Sequence, residues 1–333
     1  MEDGAPAPPR RHENLRALVV ALIVAIAGSL FVGSYGIALG DPTPRELPIG
    51  VVGDASFALE VGAAFNAQGV GTFATRTFAS STDADDALTQ QQIFAIVERG
   101  TGDDLDFVVS SASGASVARL IEQIAPQVAS GLGLQATVTD AHPLGENDPQ
   151  GLVLFYLAMG AIILGFVGAA QTRINAKLTL GGEVGWDVIR SALAALCITL
   201  IVGPVLGLDA VPILPTWLTL TVAMLVAAMF FNSARVTIGA TWALLPTWIL
   251  FVVVANPASG GAVPPALLPP FYEFMGRWLP TGAMVYILRD VTYFPTAVNL
   301  EPIIVLLAWL VVTTTVFVLV RRRRYGSGVV TSG

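Results

Sequence analysis

The sequence predicts an α-helical integral membrane protein with six transmembrane helices and an α/β extracytoplasmic domain inserted between the first and the second. Three observations predict this class. Hydrophobic residues make up 54% of the 333 residues and charged residues only 12%, whereas soluble domains carry about 25% charged residues. Six apolar stretches approach the ~20 residues that a spanning helix needs. One long polar segment separates the first stretch from the other five.

The six apolar stretches contain no charged residue apart from Arg16 and Arg190, each near the start of its stretch. Because hydrocarbon offers the backbone no hydrogen-bond partners, such stretches are predicted to be helices. They cover residues 15–38, 151–170, 188–208, 211–231, 237–255 and 303–320. A cleaved signal peptide is the alternative for the first stretch, but its apolar run is longer than the ~7–15 residues of a signal peptide. Residues 1–14 are therefore predicted to be a cytoplasmic leader before a retained span.

Basic residues set the predicted orientation. With the N-terminus in the cytoplasm, the cytoplasmic segments hold eleven of the 17 basic residues, and the outer segments hold 19 of the 24 acidic ones. Cytoplasmic loops carry this excess of Lys and Arg in membrane proteins. Four consecutive arginines begin a basic cytoplasmic tail, residues 321–333, and fix the last span. The chain is therefore predicted to be a multi-pass protein of the cell membrane with both termini in the cytoplasm.

The polar segment, residues 41–150, is predicted to be the extracytoplasmic α/β domain. Its apolar and alternating runs predict strands that alternate with helices, which is typical of this class. The predicted strands are 47–53, 72–79, 93–98, 105–110 and 134–139, and the predicted helices are 55–68, 81–91 and 112–131. Because Cys197 is the single cysteine, no intrachain disulfide is possible. A domain of roughly 110 residues is large enough to form a core without one.

No group of residues predicts an enzyme, a metal site or a cofactor site. The acids Asp83, Asp85 and Asp86 do not have the spacing of a calcium loop, and they suit the start of a helix. His142 has no visible partner and is expected to be structural. The sequence lacks a P-loop, so any ATP hydrolysis requires another subunit. The net charge of −7 argues against nucleic-acid binding, and the absence of charge deep within the predicted spans disfavours a proton-driven carrier.

Residues 262–294, between the fifth and sixth spans, are predicted to form a re-entrant or outer hairpin. Proline and glycine divide this stretch into two short helices, 266–278 and 281–291, which are too short to span a membrane. Its aromatic residues suit a membrane interface. The candidate residues of this hairpin and its approach are Asn256, Gly260, Gly261, Pro269, Pro270, Phe271 and Arg289.

Four places in the sequence resemble the membrane subunits of type-2 ABC exporters, and most of all their phage-infection-protein branch. The order of one span, a large outer domain and five further spans is also similar to that family. The four places are residues 47–54 (LPIGVVGD), residues 142–151 (HPLGENDPQG), residues 256–264 (NPASGGAVP) with 268–271 (LPPF), and residues 279–283 (LPTGA) with 288–290 (LRD).

The resemblance implies a permease that pairs with a cytoplasmic ABC ATPase and with a second copy or a related permease chain. Such a permease moves a lipid or hydrophobic compound outward across the membrane, and the membrane lipids are among its partners. It implies that Arg173 and Lys177, in the inner loop 171–187, couple the helices to the ATPase. The alternative explanation is that Arg173 and Lys177 have no coupling role and that their positive charge only keeps this loop on the cytoplasmic side. The alternative function is a cell-envelope scaffold or receptor that acts through the external domain.

Overall fold

The protein is a bundle of apolar helices with a β-sheet domain at one end. The structure, a computed structural model, describes residues 10–69, 72–297 and 299–329. The predicted leader lies outside these residues except for residues 10–14, which already belong to the first helix. We call the end of the bundle that carries the sheet the domain end, and the opposite end the far end.

Eleven α-helices are formed by the residues that the structure describes. They are α1 (Arg10–Leu39), α2 (Ala55–Asn66), α3 (Ser81–Thr89), α4 (Ala115–Gly131), α5 (Val153–Asn175), α6 (Leu180–Leu200), α7 (Ile213–Ile238), α8 (Ala240–Trp248), α9 (Pro270–Trp278), α10 (Pro280–Tyr293) and α11 (Leu300–Tyr325). Five helical regions are long and apolar enough to cross a membrane: Asn14–Leu39, Val153–Asn175, Leu180–Val205, Ile213–Ile238 and Leu300–Tyr325. The chain is therefore a multi-pass helical membrane protein.

The fifth predicted span, residues 237–255, differs from the prediction. Gly239 ends α7 with a φ of +93°, a conformation that glycine adopts at little cost. The apolar helix that follows, Ala240–Ala255, is shorter than the five spanning regions. At about 1.5 Å per residue it covers roughly 24 Å, less than the ~30 Å of a hydrocarbon core. Its last part, Ile249–Ala255, is π-helical and follows Pro246, whose missing N–H disturbs regular α-helical bonding.

Helix α6 begins earlier than the sequence predicts, and helix α11 is longer than predicted. α6 begins at Leu180 rather than at residue 188, so Glu183 and Asp187 lie within a spanning region together with Arg190. The expectation that spanning helices hold no inner charge is therefore wrong for α6. α11 continues to Tyr325 and includes the first arginines of the predicted tail. Both extensions are possible because the charges pair with neighbouring helices, as described below.

The domain between the first and second spanning helices is an α/β domain with five strands, as predicted, and its strands form one mixed sheet. The strands are β1 (Leu47–Val52), β2 (Phe73–Phe78), β3 (Ala95–Arg99), β4 (Asp104–Val109) and β5 (Gln135–Asp140). Their order is β2-β1-β3-β4-β5. All neighbours are parallel except β3 and β4, which form an antiparallel pair.

Alternating strand residues bury both faces of this sheet. Val97 and Phe107 point to a core formed with α2 and α4, while Ile96 and Val108 point to a smaller core formed with α3. This alternation follows from the two-residue period of a strand. Side-chain caps fix where helices begin: the side chain of Asp54, for example, accepts a hydrogen bond from the Phe57 amide at the start of α2.

Helix α7 is the centre of the helical bundle. Its buried residues face several neighbours, and it approaches α5 so closely that a Cβ atom on Gly165 would lie 2.6 Å from the carbonyl oxygen of Met224. Small residues allow such backbone contacts between membrane helices. By contrast, the part of α1 from residue 14 to residue 30 is almost entirely exposed. α1 joins the bundle near its domain end, where Ser34 bonds the carbonyl of Val253 and the hydroxyl of Tyr272.

The segment between the π-helix and α9 connects the sheet domain to the helices. Leu267 is buried in the main core of the sheet domain, together with residues of α2 and α4. The next residue, Leu268, instead packs against Ala38 at the end of α1 and against Tyr272 of α9. Consecutive side chains of one segment therefore belong to two different cores. This arrangement attaches the sheet domain to the membrane part at a point distant in sequence from either of its own ends.

Candidate functional site

A cluster of buried charged residues lies at the far end of the bundle and joins four helices. Two carboxylates come from the first turns of α6, and four guanidinium groups come from α5, α6, α7 and α11. We call these residues, with one asparagine of α7, the ion-pair cluster: Arg173, Glu183, Asp187, Arg190, Asn232, Arg235 and Arg321. Ionisable residues inside membrane helices are costly and therefore mark functional sites by default.

Helical spacing places the α6 charges on one face. Thr179 caps the helix by accepting a hydrogen bond from the Gly182 amide. Glu183, Asp187 and Arg190 then follow at intervals of four and three residues, which brings their side chains to the same side of the helix. That side faces α5 and α7, so the two carboxylates become buried between helices.

Asp187 is fully buried and binds three side chains. Its Oδ2 accepts hydrogen bonds from Nη2 of Arg173 at 2.6 Å and from Nδ2 of Asn232 at 2.8 Å. Its Oδ1 accepts one from Nη2 of Arg190 at 3.2 Å. Arg190 also reaches the Leu164 carbonyl of α5 at 2.9 Å. One carboxylate therefore connects α5, α6 and α7.

Glu183 binds three arginines and extends the cluster to α11. Arg235 of α7 lies 2.5 Å from Oε2, Arg173 lies 3.4 Å from the same oxygen, and Arg321 of α11 lies 3.4 Å from Oε1. Arg321 is fully buried. Its two terminal nitrogens donate to the carbonyls of Gly326 and Gly328, so the segment after α11 folds back over the cluster.

The ion-pair cluster carries more positive than negative charge. Its four guanidinium groups face two carboxylates. Three buried guanidinium nitrogens have no hydrogen-bond partner in the part of the chain that the structure describes: Nη1 of Arg173, Nε of Arg190 and Nε of Arg235. Because these nitrogens are buried, they are not themselves a contact surface, but the excess charge gives the far end a positive electrostatic potential.

The two residues of the predicted coupling loop have different surroundings. Arg173 belongs to the ion-pair cluster, and its side chain is only 7% exposed. Lys177 is exposed on the short connection between α5 and α6, residues 176–179. Ile174, beside it at the end of α5, is 76% exposed. The connection therefore presents one cation and one large apolar side chain outside the cluster.

The candidate residues of the outer hairpin lie at the domain end, and most of them fix its backbone. Asn256 is buried and donates a hydrogen bond to the hydroxyl of Tyr35 in α1. Arg289 donates from Nη2 to the carbonyl of Gly260 at 2.6 Å. A Cβ atom on Gly261 would lie 3.0 Å from the Cα atom of Phe155, so the backbone there packs directly on α5.

Pro269, Pro270 and Phe271 form the start of α9. Pro270 occupies the first helical turn, where the missing N–H of proline removes no helical hydrogen bond. Phe271 is 55% exposed. The two short helices that the sequence predicts are present as α9 and α10. They are joined at Leu279, and a Cβ atom on Gly282 of α10 would collide with the carbonyl of Gly276 in α9.

Asp83 and His142 of the sheet domain have structural surroundings that explain them. Asp83 lies in the first turn of α3, where its amide bonds the capping hydroxyl of Ser80. The ring of His142 packs on Phe294, with 4.7 Å between ring centroids. Among the residues that the structure describes, no group of three potential ligands from His, Cys, Asp and Glu could hold a metal ion.

Sequence reasoning missed Glu183 and Asp187 as site residues because it placed them in an inner loop. The available signal was their four-residue spacing directly before an apolar run, together with Arg190 three residues later. The arginines were recognised as basic residues of the inner face, but their pairing partners lie on other helices. Contacts between helices that are distant in sequence have no local pattern.

Comparison with known proteins gives one match. A family model described as "Protein of unknown function (DUF3533)" matches residues 108–315. The matched region runs from the end of β4 into α11 and includes most of the ion-pair cluster and the whole outer hairpin. No curated protein matches the chain, and no solved structure matches it.

Proposed function

The chain belongs to the DUF3533 family, and we propose that it is the membrane permease subunit of an ABC-type exporter. In this proposal the chain moves a lipid or hydrophobic compound outward, and a separate cytoplasmic ATPase subunit supplies the energy. The far end faces the cytoplasm, and a second copy or a related permease chain completes the transporter. The observation that carries the proposal is the ion-pair cluster beside the α5–α6 connection.

The cluster makes the far ends of four helices move together. A force applied to the α5–α6 connection acts on Arg173 and Asp187, which are bound to each other at 2.6 Å. Glu183 carries that force to α7 and α11 through Arg235 and Arg321. An ATPase that pushes on a single connection would in this way displace most of the bundle, as a power-stroke transporter requires.

The exposed groups of this connection support an ATPase partner of acidic character. The exposed Lys177 attracts carboxylates, and the exposed Ile174 supplies an apolar contact. The membrane part supports an apolar cargo. The far-end half of α1 stands away from the other helices, which leaves a lateral opening that lipid or a partner chain can occupy.

Co-purification with candidate ATPases tests the proposal. The chain is expressed with each P-loop ATPase of its source genome, and complex formation and ATPase activity are measured. Lys177→Glu is expected to weaken the complex about tenfold or more, because it reverses the exposed charge at the contact. Arg322→Glu is the matched control, since Arg322 is exposed at the same end of the bundle but on α11. The proposal fails if no ATPase associates, or if the two variants behave alike.

The buried carboxylates favour a second candidate function, a carrier driven by a proton or ion gradient. The sequence disfavoured a carrier of this kind because no ionisable group was expected deep within a span. Glu183 and Asp187 are such groups, and both are buried in the structure. Proteoliposomes distinguish the two candidates. Cargo movement that follows a pH gradient without ATP supports the carrier, whereas movement that requires ATP and the ATPase subunit supports the exporter.

A further inference from the structure

A small, partly open cavity lies at the domain end, where the sheet domain meets the membrane helices. Its volume is about 40 Å³. Four separate parts of the chain line it: the start of α4, the segment that leads into α5, the loop before α9, and α10. The lining residues that matter below are Ser116, Arg119, Gln150, Arg289 and Tyr293.

Helix α4 points its N-terminus into this cavity. The helix has 17 residues, its N-cap is Gly114, and no side chain caps it. The first backbone N–H groups of a helix have no partner within the helix, and the helix dipole adds positive charge there. The hydroxyl of Ser116, in the first turn, is buried and has no hydrogen-bond partner in the described part of the chain. Uncapped donors therefore face the cavity.

Arg289 is the second, independent observation. It is only 6% exposed, yet no carboxylate among the described residues lies within ion-pair distance of its guanidinium group. One nitrogen donates to the Gly260 carbonyl at 2.6 Å. The neighbouring Asp290 bonds Gln91 of the sheet domain instead. Burial lowers the pKa of Arg289, but arginine keeps its proton in proteins. Asp290 is the nearby negative charge, and the Tyr286 ring centroid lies 5.7 Å from the guanidinium carbon. Even so, only one guanidinium nitrogen of Arg289 has a hydrogen-bond partner among the described residues.

The remaining lining residues have the same electrostatic character. Arg119 adds a second positive charge, Gln150 adds an amide, and no acidic residue is among the described residues that line the cavity. Burial raises the pKa of Tyr293 to about 12, so its hydroxyl stays a donor at neutral pH. The nearby carboxylate of Asp148 raises the pKa of Tyr293 further, but it does not line the cavity and accepts hydrogen bonds from two backbone amides at the start of α5.

We propose that this cavity binds an oxyanion group, such as a phosphate or a carboxylate. Helix N-termini and arginines together are the usual partners of such groups. A cavity needs roughly 10–15 Å³ by this measure to hold one water molecule, so a cavity of about 40 Å³ has room for one small anionic group and not for a whole ligand. The group belongs to free phosphate or to the headgroup of an anionic lipid. The inference does not depend on the proposed exporter function.

The cavity also explains the close packing around it. A Cβ atom on Gly114 would lie 2.5 Å from Pro264, and Gly260 has a φ of +75°. These glycines let the loop before α9 approach the α4 N-terminus. Gly260 of this loop and Arg289, which donates to the Gly260 carbonyl, therefore line the same cavity as the start of α4. A bound anion would therefore stabilise the contact between the sheet domain, the loop and α10.

Binding of defined anions to the full chain tests the inference. The purified protein is titrated with inorganic phosphate by calorimetry in phosphate-free buffer. In parallel, its thermal unfolding is compared in nanodiscs of phosphatidylcholine alone and of phosphatidylcholine with phosphatidylglycerol. Arg119→Gln removes an exposed charge that the fold does not need, and Arg289→Lys keeps the charge but loses the planar fork. Arg76→Gln, on an exposed arginine of β2, is the matched control.

We expect wild type and Arg76→Gln to bind one of the two probes, and Arg119→Gln to bind it about tenfold more weakly, the usual effect of losing one charge-assisted hydrogen bond. Binding of free phosphate identifies an inorganic anion or phosphorylated solute as the source. A rise in unfolding temperature that needs phosphatidylglycerol identifies a lipid headgroup. The inference is overturned if wild type responds to neither probe, or if Arg119→Gln and Arg289→Lys both match Arg76→Gln.

Discussion

At the scale of single residues, the most consequential group is the carboxylate of Asp187. It is fully buried and accepts hydrogen bonds from two arginines and one asparagine. Such a group stabilises the structure less by its own attraction than by preventing its partners from being buried as unpaired charges. The same reasoning applies to Glu183, whose two oxygens face three arginines. Two carboxylates therefore control whether four arginines can be buried.

Asp187→Asn is expected to lower the free energy of unfolding by about 3–5 kcal/mol. The reason is that it leaves Arg190 without its counter-charge and Arg173 with Glu183 alone, 3.4 Å away. Unfolding of the detergent-solubilised protein by denaturant measures the loss. The control is Glu301→Gln, which breaks an exposed ion pair with Arg277 and is expected to cost less than about 1 kcal/mol. Equal losses in the two variants would contradict this account of the cluster.

His142 gives the stability a dependence on pH. Burial lowers its pKa, and the smaller effects of Asp140 and Asp85 oppose the shift. The unfolded chain then binds a proton at higher pH than the folded chain, so stability is full above about pH 6.5 and falls as the pH drops below that value. Thermal unfolding at pH 7.5 and 5.5 is expected to show a smaller drop for His142→Gln than for wild type. The same drop in both would exclude His142 as the cause.

At the scale of elements, the contact between α5 and α7 depends on small residues. Gly165→Ala would place a methyl group 2.6 Å from the Met224 carbonyl and is expected to cost about 1–3 kcal/mol through overpacking. Gly160→Ala is the control on the same helix, because a Cβ atom there meets nothing within 4 Å. It is expected to be neutral or stabilising, since alanine favours a helix by ~1 kcal/mol over glycine. Denaturant unfolding of both variants checks the difference.

Most elements follow from local pattern, and the exceptions have identifiable causes. The alternation over residues 72–79, the apolar run 47–53 and the apolar periodicity of α4 predicted the sheet domain, because burial on a strand or helix has a fixed period. The start of α6 was missed because Glu183 and Asp187 interrupt the apolar run, and their partners on α5, α7 and α11 have no trace in the local sequence. The fifth span was overestimated because apolar composition does not record the break at Gly239.

At the scale of the whole molecule, the sheet domain packs directly against the membrane helices. The α4 N-terminus, the loop before α9 and α10 meet at one cavity. Gln91 of the sheet domain bonds Asp290 of α10, and His142 packs on Phe294 directly after α10. In an exporter this arrangement would carry a movement of the helices into the outer domain. In an envelope receptor it would carry a signal in the opposite direction.

Leu267 is the residue on which this connection depends most, because it belongs to a membrane-side loop but is buried in the core of the sheet domain. Leu267→Ala removes apolar contacts from that core and is expected to destabilise it by about 2–5 kcal/mol. Limited proteolysis should then cleave the sheet domain sooner, while the membrane helices stay protected. The control is Leu59→Ala, since Leu59 is 76% exposed on α2 and its loss should change stability by no more than about 0.5 kcal/mol. If Leu267→Ala leaves proteolysis unchanged, the sheet domain is stable without the loop, and a helix movement cannot reach the domain through this contact.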